Sequence, residues 1–208
     1  MPLQRAREHP RAVLAVWRRA LWHNGRELAR AAAALYHQGA YATAGFLALG
    51  ALEEVARSVI VLEAELEHRT RRPTAPTLEE VRRRTAGRPG RRLEAIIASF
   101  FLNGGAPGGL PADPSQRWER GQRLRRGRRS LLAVGLTRGL ALPHQRCTAQ
   151  DAYALVCVAY EALAEQAAHC TDEHPPTGLG ARLRDAVVRE LLAFTGAGVR
   201  TGAGDGQG

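Results

Sequence analysis

The sequence predicts an all-α fold, a helical bundle of about five main helices followed by a Gly-rich C-terminal tail. Apolar residues recur at helical spacing over most of the 208 residues, and neither β alternation nor a βαβ pattern is present. The hydrophobic fraction of 45% is sufficient for a core. We therefore expect one domain over residues 1–194 and a disordered tail over residues 195–208, where glycine recurs.

The first two predicted helices, over residues 10–37 and 40–67, should form a tight antiparallel hairpin. Gly39 is placed to end the first helix, because glycine readily adopts the left-handed conformation found at helix C-termini. The first half of the second helix is rich in Ala and Gly, so that a neighbouring backbone can approach it closely. The first helix carries an apolar stripe with a seven-residue rhythm, which we expect to be buried: Leu14, Trp17, Leu21, Asn24, Leu28, Ala31 and Leu35.

The remaining predicted helices are separated by Pro-rich and Gly-rich breaks. After "RTRRPTAPT", the segment "TLEEVRRRT" predicts a short helix with Thr77 as its cap and Glu80 three residues on. "RRLEAIIASFFL" predicts an apolar helix, and "NGGAPGGLPADPS" predicts a loop. "CTAQDAYALVCVAYEALAEQAAHC" predicts a long helix capped by Thr148, with Asp151 at its N3 position. The last predicted helix is "ARLRDAVVRELLAF".

Charged residues interrupt the most apolar helix, in "GALEEVARSVIVL". Lone charges in a packed helix are costly, so the helix has a wet side or these residues pair with one another. Glu53 and Arg57 are four positions apart and can pair along the helix, whereas Glu54 needs another partner. A hairpin turning near Gly39 would bring Asn24 level with the two glutamates. The residues alone leave two interpretations open: a buried polar network at a helix-pair or dimer contact, and ordinary surface carboxylates at a bundle edge, which composition favours.

The positive charge is concentrated in the middle third of the chain. All 30 basic residues are arginines; residues 69–129 hold 16 of them against 5 acids (+11), and the rest of the chain holds 14 against 15 acids (−1). Such a region suits phosphate or an acidic partner, although a solvated loop region would look the same. Only Trp118 is near for base stacking, so a charged surface for a protein partner is an equal alternative. The candidate nucleic-acid-binding residues are Arg123, Arg125, Arg126, Arg128 and Arg129.

Cysteine usage and hydropathy indicate a soluble cytoplasmic protein. The three cysteines lack CxxC spacing, which argues against a disulfide scaffold and for a reducing compartment. The N-terminus lacks the apolar run of a signal peptide, and the longest apolar stretch breaks near Gly39, so no membrane span is predicted. "HCTDEH", residues 169–174, has metal-ligand residue types but no second ligand pair. We read it as a solvated helix end, and we expect neither a metal nor a cofactor.

The segment "ARAAAALYHQGAYATAGFLALGALEEVARSVIVL" resembles the AbiV family of abortive-infection proteins, a branch of the HEPN-like all-α group. The family pattern is a helix with an asparagine, followed by an alanine-rich segment that carries paired glutamates. Arg57 stands where the family has lysine, and the resemblance favours the buried polar network of Asn24, Glu53, Glu54 and Arg57 over surface carboxylates. The matching positions are Asn24, Leu35, Gly39, Tyr41, Ala44, Leu47, Glu53 and Glu54.

A later stretch, "RGRRSLLAVGLTRGLALPHQRCTAQDAYALV", follows the family layout in order and spacing. The family has a leucine-tyrosine-valine-aspartate patch there, then a proline, then a helix that opens with Ser or Thr. The resemblance covers roughly residues 10–170. In this stretch Leu132, Val134, Pro143 and Thr148 match, whereas Ala133 and Gly135 replace the tyrosine and the aspartate.

The resemblance implies an HEPN-like bundle whose role is bacterial antiviral defence by abortive infection, in which growth or translation of the infected cell is shut down. One mechanism is a non-enzymatic toxin that binds its target through the Arg-rich middle. The alternatives are a metal-independent HEPN-type endoribonuclease and a non-enzymatic regulatory or scaffold module. The implied partners are a second copy of the chain, an RNA or ribosome-associated target, and a phage-encoded trigger protein.

Many HEPN proteins carry a nuclease signature in which an arginine and a histidine are separated by four to six intervening residues. In that chemistry, histidine acts as general acid or base and arginine holds the phosphate. With 30 arginines and seven histidines, about three such pairs are expected by chance, so the pattern alone does not decide the activity. Three pairs are present, of which the third is interrupted by a proline: Arg18 with His23, Arg30 with His37, and Arg138 with His144.

Overall fold

The computed structural model describes residues 10–70, 74–86, 135–136, 140–141, 147–171 and 178–201, and in these ranges it is an α-helical bundle. The five helices of the described ranges are α1 (Pro10–His37), α2 (Tyr41–Arg69), α3 (Leu78–Ala86), α4 (Ala149–Gln166) and α5 (Leu179–Thr201). A short 3₁₀ turn, Ala168–Thr171, follows α4.

Helices α1 and α2 form the predicted antiparallel hairpin, joined by only three residues. The glycine at the turn, Gly39, has φ 78°, a conformation that side chains other than glycine rarely adopt. The backbone N–H of Gly39 donates to the Tyr36 carbonyl at 2.9 Å, and that of Ala40 donates to the Leu35 carbonyl at 3.0 Å. These bonds satisfy carbonyls at the C-terminus of α1, so the prediction of Gly39 as the helix stop is confirmed.

Helix α3 covers the open end of this hairpin and builds a small core there. Thr77 caps α3 as predicted, since its Oγ1 accepts a hydrogen bond from the Glu80 backbone N–H at 3.2 Å. His68, near the end of α2, bonds through Nε2 to the Pro76 carbonyl at 2.8 Å. The buried residues of this small core come from all three helices: Leu14, Val61, Ala64 and Val81.

The main core lies between α1, α2 and α4, where small residues allow the helices to approach closely. Trp22 is fully buried, and its indole Nε1–H donates to the Leu163 carbonyl of α4 at 2.9 Å, which satisfies its polar edge. Helix α4 begins with the predicted capping box, in which Thr148 Oγ1 accepts from the Asp151 N–H and the Asp151 carboxylate accepts from the Thr148 N–H. The cap fixes where the most buried helix of the C-terminal half begins.

Helix α5 continues to Thr201, beyond residue 194, where the sequence analysis ended the domain. Residues 195–201 are thus helical in the structure, whereas residues 202–208 lie outside the described residues. A glycine such as Gly196 costs a helix only about 1 kcal/mol relative to alanine, so it does not by itself end the helix. Val187 and Phe194 are the buried residues through which α5 packs on the main core.

The described ranges also contain a two-residue antiparallel strand pair, Gly135–Leu136 with Leu140–Ala141. Two residues are too few to produce a period-two pattern, which is why sequence alternation gave no sign of them. The predicted apolar helix in "RRLEAIIASFFL" and the basic segment after it lie outside the described residues. None of the helices in the described part of the chain is long and apolar enough to cross a membrane.

Candidate functional site

The buried face of α1 differs from the predicted stripe by one position. Asn24 is exposed rather than buried, and Trp17, Leu21 and Leu28 are only half-buried. Apart from Leu14 and Ala33, the buried residues immediately follow members of the stripe, a rotation of about 100° around the helix. The buried face comprises Leu14, Ala15, Arg18, Trp22, Gly25, Ala29, Ala32 and Ala33.

Gly25, next to Asn24, lies where α1 closely approaches both α2 and α4. A Cβ atom at this position would lie 3.3 Å from the Ala51 carbonyl oxygen, 3.4 Å from Glu54 Cβ and 3.5 Å from Leu163 Cδ2. The predicted register of the hairpin is therefore right, because residues near 24 do lie level with residues 51–54. Gly25 itself was not predicted from the sequence, although its position opposite the small residues of α2 was the available signal.

The glutamate pair of α2 divides between a buried residue and an ion pair. Glu53 is buried, as expected for a member of a polar network. Arg57 pairs with Glu54, three residues away, instead of with Glu53 as predicted. Both spacings place side chains on neighbouring parts of a helix surface, so sequence alone does not choose between them. In the part of the chain that the structure describes, Arg57 Nε is buried and has no hydrogen-bond partner of its own.

A second charged pair of the hairpin, not anticipated from sequence, is more deeply buried than the pair of Glu54 and Arg57. Arg18 and Glu65 are both buried, with relative exposures of 2% and 4%, and Arg18 Nε donates to Glu65 Oε2 at 2.9 Å. The two residues are 47 positions apart, so the bond ties the start of α1 to the end of α2. A buried pair of this kind specifies register, since slipping either helix would leave a charge in an apolar environment.

This pairing separates the first Arg/His candidate for RNA cleavage. Arg18 is buried against Glu65, whereas His23 is exposed and lies edge-on to the Trp22 ring. Residues five apart on a helix point about 140° away from each other, so the two side chains do not converge on one phosphate. Arg18, predicted as a candidate phosphate-binding residue, is therefore a structural cation of α1.

The second pair, Arg30 and His37, also turns toward different partners. Arg30 donates through Nη2 to Glu190 Oε1 of α5 at 2.6 Å, which raises the Arg30 pKa. His37 is exposed and contacts the Phe194 ring, with ring centroids 5.3 Å apart. The third pair and the Arg-rich candidates lie outside the described residues: Arg138, His144, Arg123, Arg125, Arg126, Arg128 and Arg129.

The cysteines are buried thiols, and the one with the clearest electrostatics is unsuited to nucleophilic chemistry. Burial, together with the negative charge of Glu161, raises the pKa of Cys157 to about 12. Burial similarly raises the pKa of the neighbouring Tyr153 to about 12. Because the thiolate is the reactive form of cysteine, Cys157 at neutral pH is a packing residue of α4.

The "HCTDEH" segment does not present a solvated surface in the residues described. Cys170 is buried, and its Sγ donates to the Gln166 carbonyl at 3.4 Å, while His169 is half-buried. Asp172 and His174 lie outside the described ranges. Within residues 10–70, 74–86, 147–171 and 178–201, no group of three or more His, Cys, Asp or Glu side chains is arranged to hold a metal ion.

The site combines the Ala-rich hairpin of α1 and α2 with the capped helix α4, which packs against both. Within the hairpin, Glu53 and Glu54 lie level with Asn24 and Gly25. The AbiV model of the HEPN group matches residues 13–164, which span α1 to nearly the end of α4. No curated protein and no solved structure matches the chain. The match covers well over half of the sequence, and the chain therefore belongs to the AbiV family of HEPN proteins, whose family-level role is antiviral defence by abortive infection.

Proposed function

We propose that this protein halts growth or translation of the phage-infected cell by binding its target through the Arg-rich middle of the chain, residues 69–129. The observation that supports this proposal is the charge distribution. This region carries a formal charge of +11, whereas the remaining residues sum to −1. A surface of this kind attracts polyanions and accelerates their encounter with the protein.

Helix α3 lies in the described part of this region, and it supports the proposal because it presents arginines to solvent. Arg82, Arg83 and Arg84 are all exposed on α3. Arg82 approaches Glu79 at 3.9 Å and Arg84 bonds to Glu80 at 2.8 Å. Exposed pairs of this type contribute little, about 0.5 kcal/mol each, so a phosphate group can compete for these guanidinium groups.

RNA, free or in a ribosome-associated target, is the ligand whose chemistry best fits an all-arginine basic region. Arginine binds phosphate through two parallel N–H donors, which lysine cannot do. Binding of this kind releases counterions, so its affinity falls steeply with salt. A phage-encoded trigger protein would then act upstream, as the signal that activates the effector.

Replacing Arg125, Arg126, Arg128 and Arg129 with glutamine should weaken RNA binding and flatten its salt dependence. Each lost phosphate contact reduces the slope of log affinity against log salt by about 0.7 for a single strand. Fluorescence anisotropy with a labelled RNA over a salt series measures both quantities. A matched control removes four exposed arginines elsewhere and should leave the slope nearly unchanged: Arg11, Arg19, Arg182 and Arg184 to glutamine.

The same assay separates this proposal from the endoribonuclease alternative. His23→Ala and His144→Ala should retain full binding, and neither variant should alter the integrity of the RNA. Metal-independent cleavage by the purified protein that disappears in one of these variants would contradict the binding proposal. Absence of RNA binding even at low salt would instead favour a regulatory or scaffold module that recognises a protein.

We further propose that the protein acts as a homodimer through α1. The support is the apolar stripe of α1, whose Trp17, Leu21 and Leu28 are only half-buried. A second copy of the chain would cover this stripe and exclude water from it. Sedimentation at micromolar concentration should therefore give about twice the chain mass of 22.6 kDa. A species of 22.6 kDa alone would contradict the dimer.

A further inference from the structure

Helix α5 lies outside the part of the chain that matches the family, residues 13–164, yet it covers residues inside that part. Its contacts are with α1, α4 and the 3₁₀ turn that follows α4. The part of the chain that matches the family therefore presents a surface, and in this protein α5 covers that surface. The chemistry of the contact shows what kind of segment the surface accepts.

One half of the contact is a carboxylate held by two guanidinium groups. Glu190 Oε1 accepts from Arg26 Nη2 at 2.5 Å and from Arg30 Nη2 at 2.6 Å. Burial alone would raise the Glu190 pKa, but the hydrogen bonds and charges of the two arginines outweigh it and lower the pKa. Arg26 also lies 5.7 Å from the centre of the Trp22 ring, which helps to hold it in place. This half recognises one acidic side chain.

The other half is an aromatic contact one helical turn further along α5. The Phe194 ring stacks on Tyr153 with centroids 5.2 Å apart and meets Tyr36 edge-on at 5.2 Å. Val187 completes the buried face, and Leu183 and Leu191 pack beside it on the main core. Along the attached face of α5, an acidic residue precedes an aromatic residue by four positions.

We propose that α5 is a displaceable internal ligand, and that the surface of α1 and α4 beneath it is a docking site for an amphipathic helix of a partner protein. That helix would carry a carboxylate for Arg26 and Arg30 and, four residues later, an aromatic ring for Tyr36 and Tyr153. The charge complementarity of the two arginines selects an acidic helix over a basic one. Binding of a helix in a groove through residues one turn apart is a common recognition mode.

Displacement is feasible because the ionic half of the contact is accessible to solvent. The side chains of Arg30 and Glu190 are 44% and 21% exposed, so salt and competing carboxylates reach them. Tethering favours α5 over a free helix of equal affinity, because the tether gives α5 a high effective concentration. A partner would therefore bind when α5 is weakened or when the partner helix fits better.

The test uses the full chain and a labelled peptide with the sequence of α5, residues 179–201. Glu190→Arg places a third guanidinium group beside Arg26 and Arg30, which repels the protein's own α5 but leaves the surface beneath it intact. We expect the peptide to bind this variant at least tenfold more tightly than the unmodified protein. Asp185→Arg, an equal charge reversal at an exposed position of α5, should leave peptide binding unchanged.

Hydrogen exchange on the unmodified protein provides a second readout that needs no variant. Amides of α5 should exchange at least tenfold faster than those of α2 and α4, because α5 can detach without global unfolding. Equal protection of all three helices would overturn the proposal, as would failure of the peptide to bind Glu190→Arg. A Glu190→Arg protein that binds a second copy of itself instead of the peptide would also overturn it.

Discussion

Glu65→Gln is expected to lower the free energy of unfolding by about 3 kcal/mol. Glu65 is buried and accepts the hydrogen bond of Arg18 Nε at 2.9 Å, so the substitution removes the negative charge opposite a buried guanidinium group. For a protein of this size, such a loss corresponds to a decrease in Tm of roughly 6 to 12 °C. Urea unfolding followed by circular dichroism measures the change.

The exposed glutamate of α3 is the matched control, since Glu79 is 81% exposed and lies 3.9 Å from Arg82. Glu79→Gln should change the unfolding free energy by less than about 0.5 kcal/mol. The double substitution Arg18→Met with Glu65→Met should recover most of the lost stability, because two apolar side chains remove both charges together. Similar small effects of Glu65→Gln and Glu79→Gln would show that the buried pair contributes nothing.

Gly25→Leu should destabilise the protein by about 2 to 3 kcal/mol, the usual cost of forcing extra atoms into a close-packed interior. Even a Cβ atom at this position would lie 3.3 Å from the Ala51 carbonyl oxygen, and a backbone atom of α2 cannot move aside as a side chain can. Leucine is itself a good helix former, so the loss would report packing rather than helix propensity. Thermal and urea unfolding both measure it.

Gly196 provides the matched control, because it also lies within a helix but is open on its outer side. Among the described residues, no heavy atom beyond its own stretch of helix lies within 4 Å of the position that a Cβ atom would take. Gly196→Leu should therefore leave the protein unchanged or stabilise it by up to about 1 kcal/mol, the propensity difference. If Gly25→Leu were as stable as Gly196→Leu, the helices would have to separate at the crossing without cost, and Gly25 would not set their distance.

The sequence was a good guide to local structure, because the signals for helix ends are themselves local. The glycine stop at Gly39 and the capping box of Thr148 with Asp151 each depend on a few neighbouring residues, and both are confirmed. The hairpin register was also predictable from the length of its two arms. Family membership followed from the same segments, since the matched residues include the turn and the paired glutamates.

The contacts between helices were less predictable, because hydrophobicity and close packing select different residues. The apolar stripe placed the large side chains Trp17 and Leu21 inside and left out Arg18 and Gly25. In the structure Gly25 lies at a close crossing, where only a small residue fits, and the buried Arg18 is paired with the buried Glu65. Neither property is visible without knowing which residue of α2 stands opposite.

The same limit applies to the candidate site. Glu53 was predicted to pair with Arg57, but the choice of Glu54 depends on side-chain rotamers that the spacing does not determine. The role of Glu190 in joining α5 to α1 depends on two residues about 160 positions away, a separation at which sequence periodicity carries no information. Function at the level of the family could be read from the sequence, whereas the surface of α1 and α4 that α5 covers required three-dimensional contacts.

The short turn at Gly39 has a consequence for the order in which the molecule assembles. Contacts along the α1–α2 hairpin join Tyr36 with Tyr41, then Gly25 with Ala51, then Arg18 with Glu65, so each closes only a modest additional loop once the previous one has formed. Helices α1 and α2 can therefore pair progressively from their turn, without contacts from the rest of the chain. Trp22 must instead find the Leu163 carbonyl, 141 residues away, so docking of α4 should limit the folding rate.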